Sequence, residues 1–183
     1  MRAVRSGFFT WPWILTVMGG TLLCFEQDGR KRWERGLGAE KQFLGRKFSD
    51  SYSLWLMRRL NTPQGPRVLT VANHHIWFPA QVALLEPRTG QMTSEYWHPG
   101  SLRRCVLHEL DQDGWEEILL AGINNPGAGL GHAALAVLKV PFQPSGQAAA
   151  SDDPFATVTG GGSMLTPSSL CPTWPAWRAI CPS

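Results

Sequence analysis

Short apolar runs broken by turn signals are the feature that most constrains this chain. "GTLLCF" (20–25) ends in "EQDG" and resumes as "RKRWERGLG". The Asp28-Gly29 pair between two such runs marks a hairpin, because tight hairpin turns need positive φ at their centre. "AQVALLEPRTGQMTSEYW" (80–97) repeats the plan, with Pro87 and Gly90 making the turn. "RVLTVA" (67–72), "RRCVLHEL" (103–110), "EILLAG" (117–122) and "HAALAVLKV" (132–140) read as further strands. In "SDSYSLWLMRRL" (49–60), Tyr52, Leu54 and Leu56 alternate with Ser51, Ser53 and Trp55, which favours a strand over an amphipathic helix. The expected fold class is all-β, built of antiparallel strands.

The hairpins also repeat. "LLCFEQDGRKRW" (22–33) and "VALLEPRTGQMTSEYW" (82–97) each carry an apolar strand, a Glu, a turn closed by Gly and a strand bearing an aromatic. Gly29 and Gly90 are about 60 residues apart, the size of a four-stranded unit with its connections. "ALAVLKV" (134–140) starts a third such unit. A partial β-propeller of about two to three blades is therefore expected over residues 20–140. A β-sandwich with hairpins is the alternative.

Composition narrows the function. The chain has 183 residues, enough for a real core, with a net charge of +3 and 17% charged residues. Its basic residues are scattered and do not interleave with aromatics, which argues against a nucleic-acid partner. Cys24, Cys105, Cys171 and Cys181 form no C-x-x-C pair, and isolated thiols are expected. Residues 1–19 form an apolar segment after Arg2 and Arg5, read either as signal-like or as a first strand. Membrane association is expected only if that segment is an anchor. From about 141 the chain turns rich in Pro, Ser, Gly and Ala and loses apolar periodicity, so residues 141–183 read as a low-complexity, poorly ordered C-terminal tail.

The chemistry concentrates in "HELDQDGWEEILLAG" (108–122). Counting from Glu109, oxygen-bearing side chains fall at positions 1, 3, 5 and 9: Glu109, Asp111, Asp113 and Glu117. Alternate residues of a curled loop aim inward, and a hard cation such as calcium takes six to eight oxygens. Gly114 permits the reversal that offers the Trp115 carbonyl as a further ligand. An EF-hand is excluded, because position 12 is Leu120 and the flanks read as strands. Without a cation the carboxylates repel one another, and only Arg103, Arg104 and His108 are near in sequence to relieve them. The bland reading is a solvated acidic turn.

"ELDQDGWEEILLAG" resembles the repeat motif of FG-GAP/VCBS-type, integrin-like β-propellers, D-x-D-x-D-G-x-x-D followed by an apolar strand. Asp111, Asp113, Gly114 and Glu117 match in type and position, and Glu109 is a conservative departure. The hairpins at 22–33 and 84–91 resemble PQQ-like and WD-like blades. The resemblance implies a structural calcium ion, a binding or sensor role, and an extracytoplasmic setting. A complete propeller needs more blades than this chain holds.

Other candidates are weaker. "NHH" (73–75) supplies adjacent histidines that a strand would point to opposite faces. "NNPGAGLGHA" (124–133) lacks the Lys-Ser/Thr of a phosphate loop. "EYWHPG" (95–100) reads either as a sugar- or peptide-stacking surface or as an aromatic strand end packed between blades. No catalytic constellation appears. The expected function is a non-catalytic binding or sensor module for a protein or carbohydrate ligand, on a calcium-stiffened scaffold. The alternatives are a fragment of a PQQ-type or glycan-active propeller enzyme, and a structural β domain without metal.

Overall fold

The structure, a computed structural model, describes residues 13–43, 46–76, 78–124 and 131–142 and the backbone of 162–164. All regular structure among them is β. The strands are β1 (Trp13–Met18), β2 (Thr21–Glu26), β3 (Lys31–Gly36), β4 (Lys41–Phe43), β5 (Arg46–Phe48), β6 (Tyr52–Thr62) and β7 (Gly65–His74). They continue as β8 (Ala80–Leu85), β9 (Met92–His98), β10 (Ser101–His108), β11 (Glu117–Asn124), β12 (His132–Leu138) and β13 (Gly162–Met164). No helix among the described residues is long and apolar enough to cross a membrane.

Each sheet is a meander in chain order: β1-β2-β3, β6-β7-β8-β9 and β10-β11-β12-β13, with β4-β5 as a small ribbon. All pairings are antiparallel. Period-two alternation then decides what each face buries. The middle sheet is covered on both sides. On β7 and β8, Leu69, Val71, Ala80, Val82 and Leu84 join one apolar cluster with Leu102, Ile118, Leu120, Ala136 and Leu138 of the third sheet. The alternate residues Val68, Ala72, Ala83 and Leu85 join a second cluster with Leu22, Cys24 and Trp33 of the first sheet. This explains why every residue of β8 is buried.

The two repeated hairpins meet in space. Trp33 of β3 lies on the turn after β8, its indole N–H donating to Pro87 O at 3.0 Å. Arg32 Nε and Arg35 Nε donate to Arg88 O and Gly90 O of the same turn. Gly90 has φ +70°, and a Cβ there would stand 2.6 Å from the Trp33 indole, so glycine is needed for conformation and for space.

Several expectations change. The alternation read through "SYSLWL" breaks at a β-bulge between Leu54 and Leu56. Tyr52 and Leu54 pack in the second cluster, on the β1-β2-β3 side, while Leu56 packs against the first. His74 and His75 do not splay to opposite faces. Strand β7 ends at His74, and the two rings sit 4.1 Å apart, centroid to centroid. Tyr96, Trp97 and His98 are buried, as the packed-strand-end reading of "EYWHPG" expects. Burial holds the Tyr96 phenol up at about 12.

The expected tail begins inside the fold. Phe142 is fully buried against the third sheet, and Gly162–Met164 pairs with β12. The remaining tail, residues 1–12 and most of the Gly-rich 124–133 segment lie outside the described residues. Within the expected N-terminal segment, Trp13–Met18 is a strand paired along its length with β2. Cys24 and Cys105 are free thiols. Burial raises the Cys24 thiol to about 11, against a partial opposing effect of Arg32.

Candidate metal-binding loop

The acidic loop joins β10 to β11. These strands pair from Ser101↔Ile123 to His108↔Glu117, so the ladder delivers Glu109 and Glu117 to the two ends of one loop. Positive φ at Gln112 (63°) and Gly114 (87°) curls the chain between them. The carboxylates organise that curl. Glu109 Oε1 accepts the Gln112 N–H at 2.5 Å, Asp111 Oδ1 accepts the Asp113 N–H, and Asp113 Oδ1 accepts the Trp115 N–H at 2.9 Å. Glu117 Oε2 accepts the Leu110 N–H at 2.8 Å across the loop mouth.

Of the expected ligands, Glu109, Asp111 and Glu117 converge. One oxygen from each lies within 4.8 Å of the others. Glu117 is the buried member, only 4% exposed, and Glu109 is half-buried. Asp111, Asp113 and Trp115 face solvent, and Trp115 is 38% exposed.

Asp113 does not join the triad. It pairs with Lys139, whose ammonium stands 2.7 Å from Asp113 Oδ2 and also contacts Asp111 Oδ2. Lys139 follows β12, whose residue Leu138 pairs with Ile118, so the sheet register brings this lysine to the loop. The hydrogen bond from Lys139, then the Trp115 N–H, lowers the Asp113 pKa. Hydrogen bonds to Asp111 and Asp113 raise that of Lys139. The relief expected from Arg103, Arg104 and His108 is thus supplied by Lys139, a residue far away in sequence and one strand across. An isolated basic residue in "LKVPF" carries no local pattern that would have revealed it.

One other grouping bears on chemistry. Ser49 Oγ lies 3.1 Å from His74 Nε2, in a setting lined by Phe48, Tyr52 and Phe78. The Ile76 N–H points at His74 Nδ1 at 3.4 Å, which assigns Nδ1 as acceptor and Nε2 as the protonated nitrogen. The imidazole then donates to the serine, the reverse of what a general base needs. Burial, then the neighbouring His75, lowers the His74 pKa.

No protein-family model matches the chain, and no curated protein or solved structure is significantly similar to it.

Proposed function

We propose that this protein is a non-catalytic binding or sensor module on a β-propeller-type scaffold, stiffened by a calcium ion in the loop at Glu109, Asp111 and Glu117. The observation that carries the reading is the convergence of those three carboxylates within 4.8 Å, one of them buried. Calcium accepts a mixed, irregular set of oxygens, and exposed Asp111 and Asp113 leave room for water to complete it. Asp113 and the Trp115 carbonyl join when Lys139 gives way. The ion's part is structural, tying the end of β10 to the start of β11.

Successive meanders stacked face to face support the blade reading. The positive-φ glycines Gly65 and Gly114 fall at matching turns of the second and third sheets, about 50 residues apart. In this reading the acidic loop replaces the tight β6–β7 turn of the preceding blade. The FG-GAP/VCBS-type assignment rests on that loop alone.

A second reading is favoured by one observation, the Lys139 ion pairs. There the ammonium is the loop's permanent cation and the domain is structural, without metal. Terbium separates the two, since it replaces calcium at oxygen sites and Trp115 stands ready to sensitise its emission. The calcium reading expects sensitised emission that calcium competes away and that Glu117→Gln abolishes. Silence in the wild type leaves the Lys139 reading.

A further inference from the structure

The seam between the second and third sheets carries an exposed aromatic and cationic surface that the loop chemistry does not use. Trp55 is the unpaired residue of the β6 bulge between Leu54 and Leu56, and Arg103 is its counterpart in the β10 bulge between Leu102 and Arg104. The two bulges meet. The Arg103 guanidinium lies over the Trp55 ring, 4.5 Å from its centroid, and the Trp55 indole N–H donates to Arg103 O at 3.0 Å. Arg103 Nε is held in turn by Ser101 Oγ at 2.9 Å. The ring is thereby pinned while Trp55 as a whole remains 49% exposed.

Arg58 adds a second cation on the same seam. Arg58 is exposed and lies between Leu56 and Leu60, which both face the cluster shared with the third sheet, so strand alternation sets it on that same face. No carboxylate pairs with Arg58 among the described residues. Neither β6 nor β10 contains an acidic residue. Asn73 braces the seam from below, exchanging two hydrogen bonds with the Leu102 backbone at 3.1 Å each.

We propose that this seam binds an anionic carbohydrate, with a sugar ring stacked on Trp55 and its sulfate or carboxylate held by Arg58 and Arg103. Four observations select this ligand class. A flat, fixed, half-exposed indole suits the face of a pyranose. Guanidinium groups pair with planar or tetrahedral anions through forked hydrogen bonds. Strand addition by a peptide needs a continuous free ladder, and the bulges interrupt it on both strands. Single-stranded nucleic acid wants successive aromatic platforms, and this seam offers one.

The proposal rests on the binding-module reading but not on calcium, so its test is run with calcium and with chelator. Isothermal titration uses a heparin-derived hexasaccharide, hexagalacturonate, neutral cellohexaose, a hexaglutamate peptide and an oligothymidylate. Binding of either anionic sugar, lost by about tenfold or more in Arg58→Gln and in Trp55→Ala but retained in Arg30→Gln, supports the proposal. The two sugars distinguish sulfate from carboxylate as the preferred anion. Unchanged thermal midpoints show that the variants fold. Absence of sugar binding in both conditions overturns the proposal, as does equal loss in Arg30→Gln. Tighter binding of the peptide or the oligothymidylate also overturns it, in favour of that partner. None of these outcomes bears on whether the acidic loop holds calcium, which the terbium experiment reads separately.

Discussion

Lys139 and Asp113 form an ion pair of 2.7 Å across the mouth of the acidic loop, joining the end of β12 to the β10–β11 connection. Both side chains are substantially exposed, so the pair adds little to stability by itself. Its importance is positional. The ammonium contacts Asp111 as well, and thus occupies two of the carboxylates an entering cation would need.

Lys139→Met is therefore expected to tighten calcium binding several-fold and to leave the calcium-free loop less ordered. The ion no longer has to displace an internal ammonium, while the bare carboxylates repel one another. Calcium titration calorimetry on both proteins, with amide hydrogen exchange of residues 109–117, checks this. Unchanged affinity shows that Lys139 does not compete.

Gly90→Ala is expected to cost roughly 1–3 kcal/mol, through its positive φ and its collision with Trp33. Gly29 sits in the β2–β3 hairpin turn at φ +86°, with nothing within 4 Å of an added Cβ. Gly29→Ala is expected to cost only the backbone part, about 1 kcal/mol. Urea unfolding of both variants isolates the Trp33 contact as the difference. Equal losses remove that contact from the account.

His98 makes stability depend on pH. The ring is fully buried, donates from Nε2 to Ile123 O at 3.2 Å, and leaves Nδ1 to the Tyr96 hydroxyl. Burial lowers its pKa from 6.5 to about 4, against the opposing effect of the Ile123 carbonyl. The unfolded chain binds this proton more tightly, so stability rises with pH between about 4 and 6.5 and is lost on acidification through that window. The ceiling is on the order of 3 kcal/mol. His98→Gln keeps a donor for Ile123 O and removes the titration. Urea unfolding across this window is expected to show a flatter slope in the variant. Parallel slopes assign the dependence to other groups.

Much of the fold was legible because β-structure announces itself locally. Asp28-Gly29 and the Pro87–Gly90 turn fixed two hairpins, which meet through Trp33. The loop was legible for the same reason, since its carboxylates and Gly114 are neighbours in the chain. What sequence missed was non-local. Lys139 reaches the loop through the β11–β12 register, and the bulges at Trp55 and Arg103 shift residues off a period of two with no Gly or Pro to mark them. Trp55 looked like one polar-face position in an ordinary alternation. The burial of Tyr96 and His98 depends on the third sheet covering one face of the second, and that of Trp97 on the first sheet covering the other, which no local pattern states.

The central claim is that the acidic loop takes up calcium and that the ion holds β10 to β11. Thermal unfolding followed during a calcium titration tests it most directly, on the wild type and on Asp111→Ala with Asp113→Ala. A ligand that binds only the native state raises the midpoint as its concentration passes the dissociation constant. The account predicts a saturable rise in the wild type that the double substitution removes. A flat wild-type titration, or a rise that survives the double substitution, contradicts it.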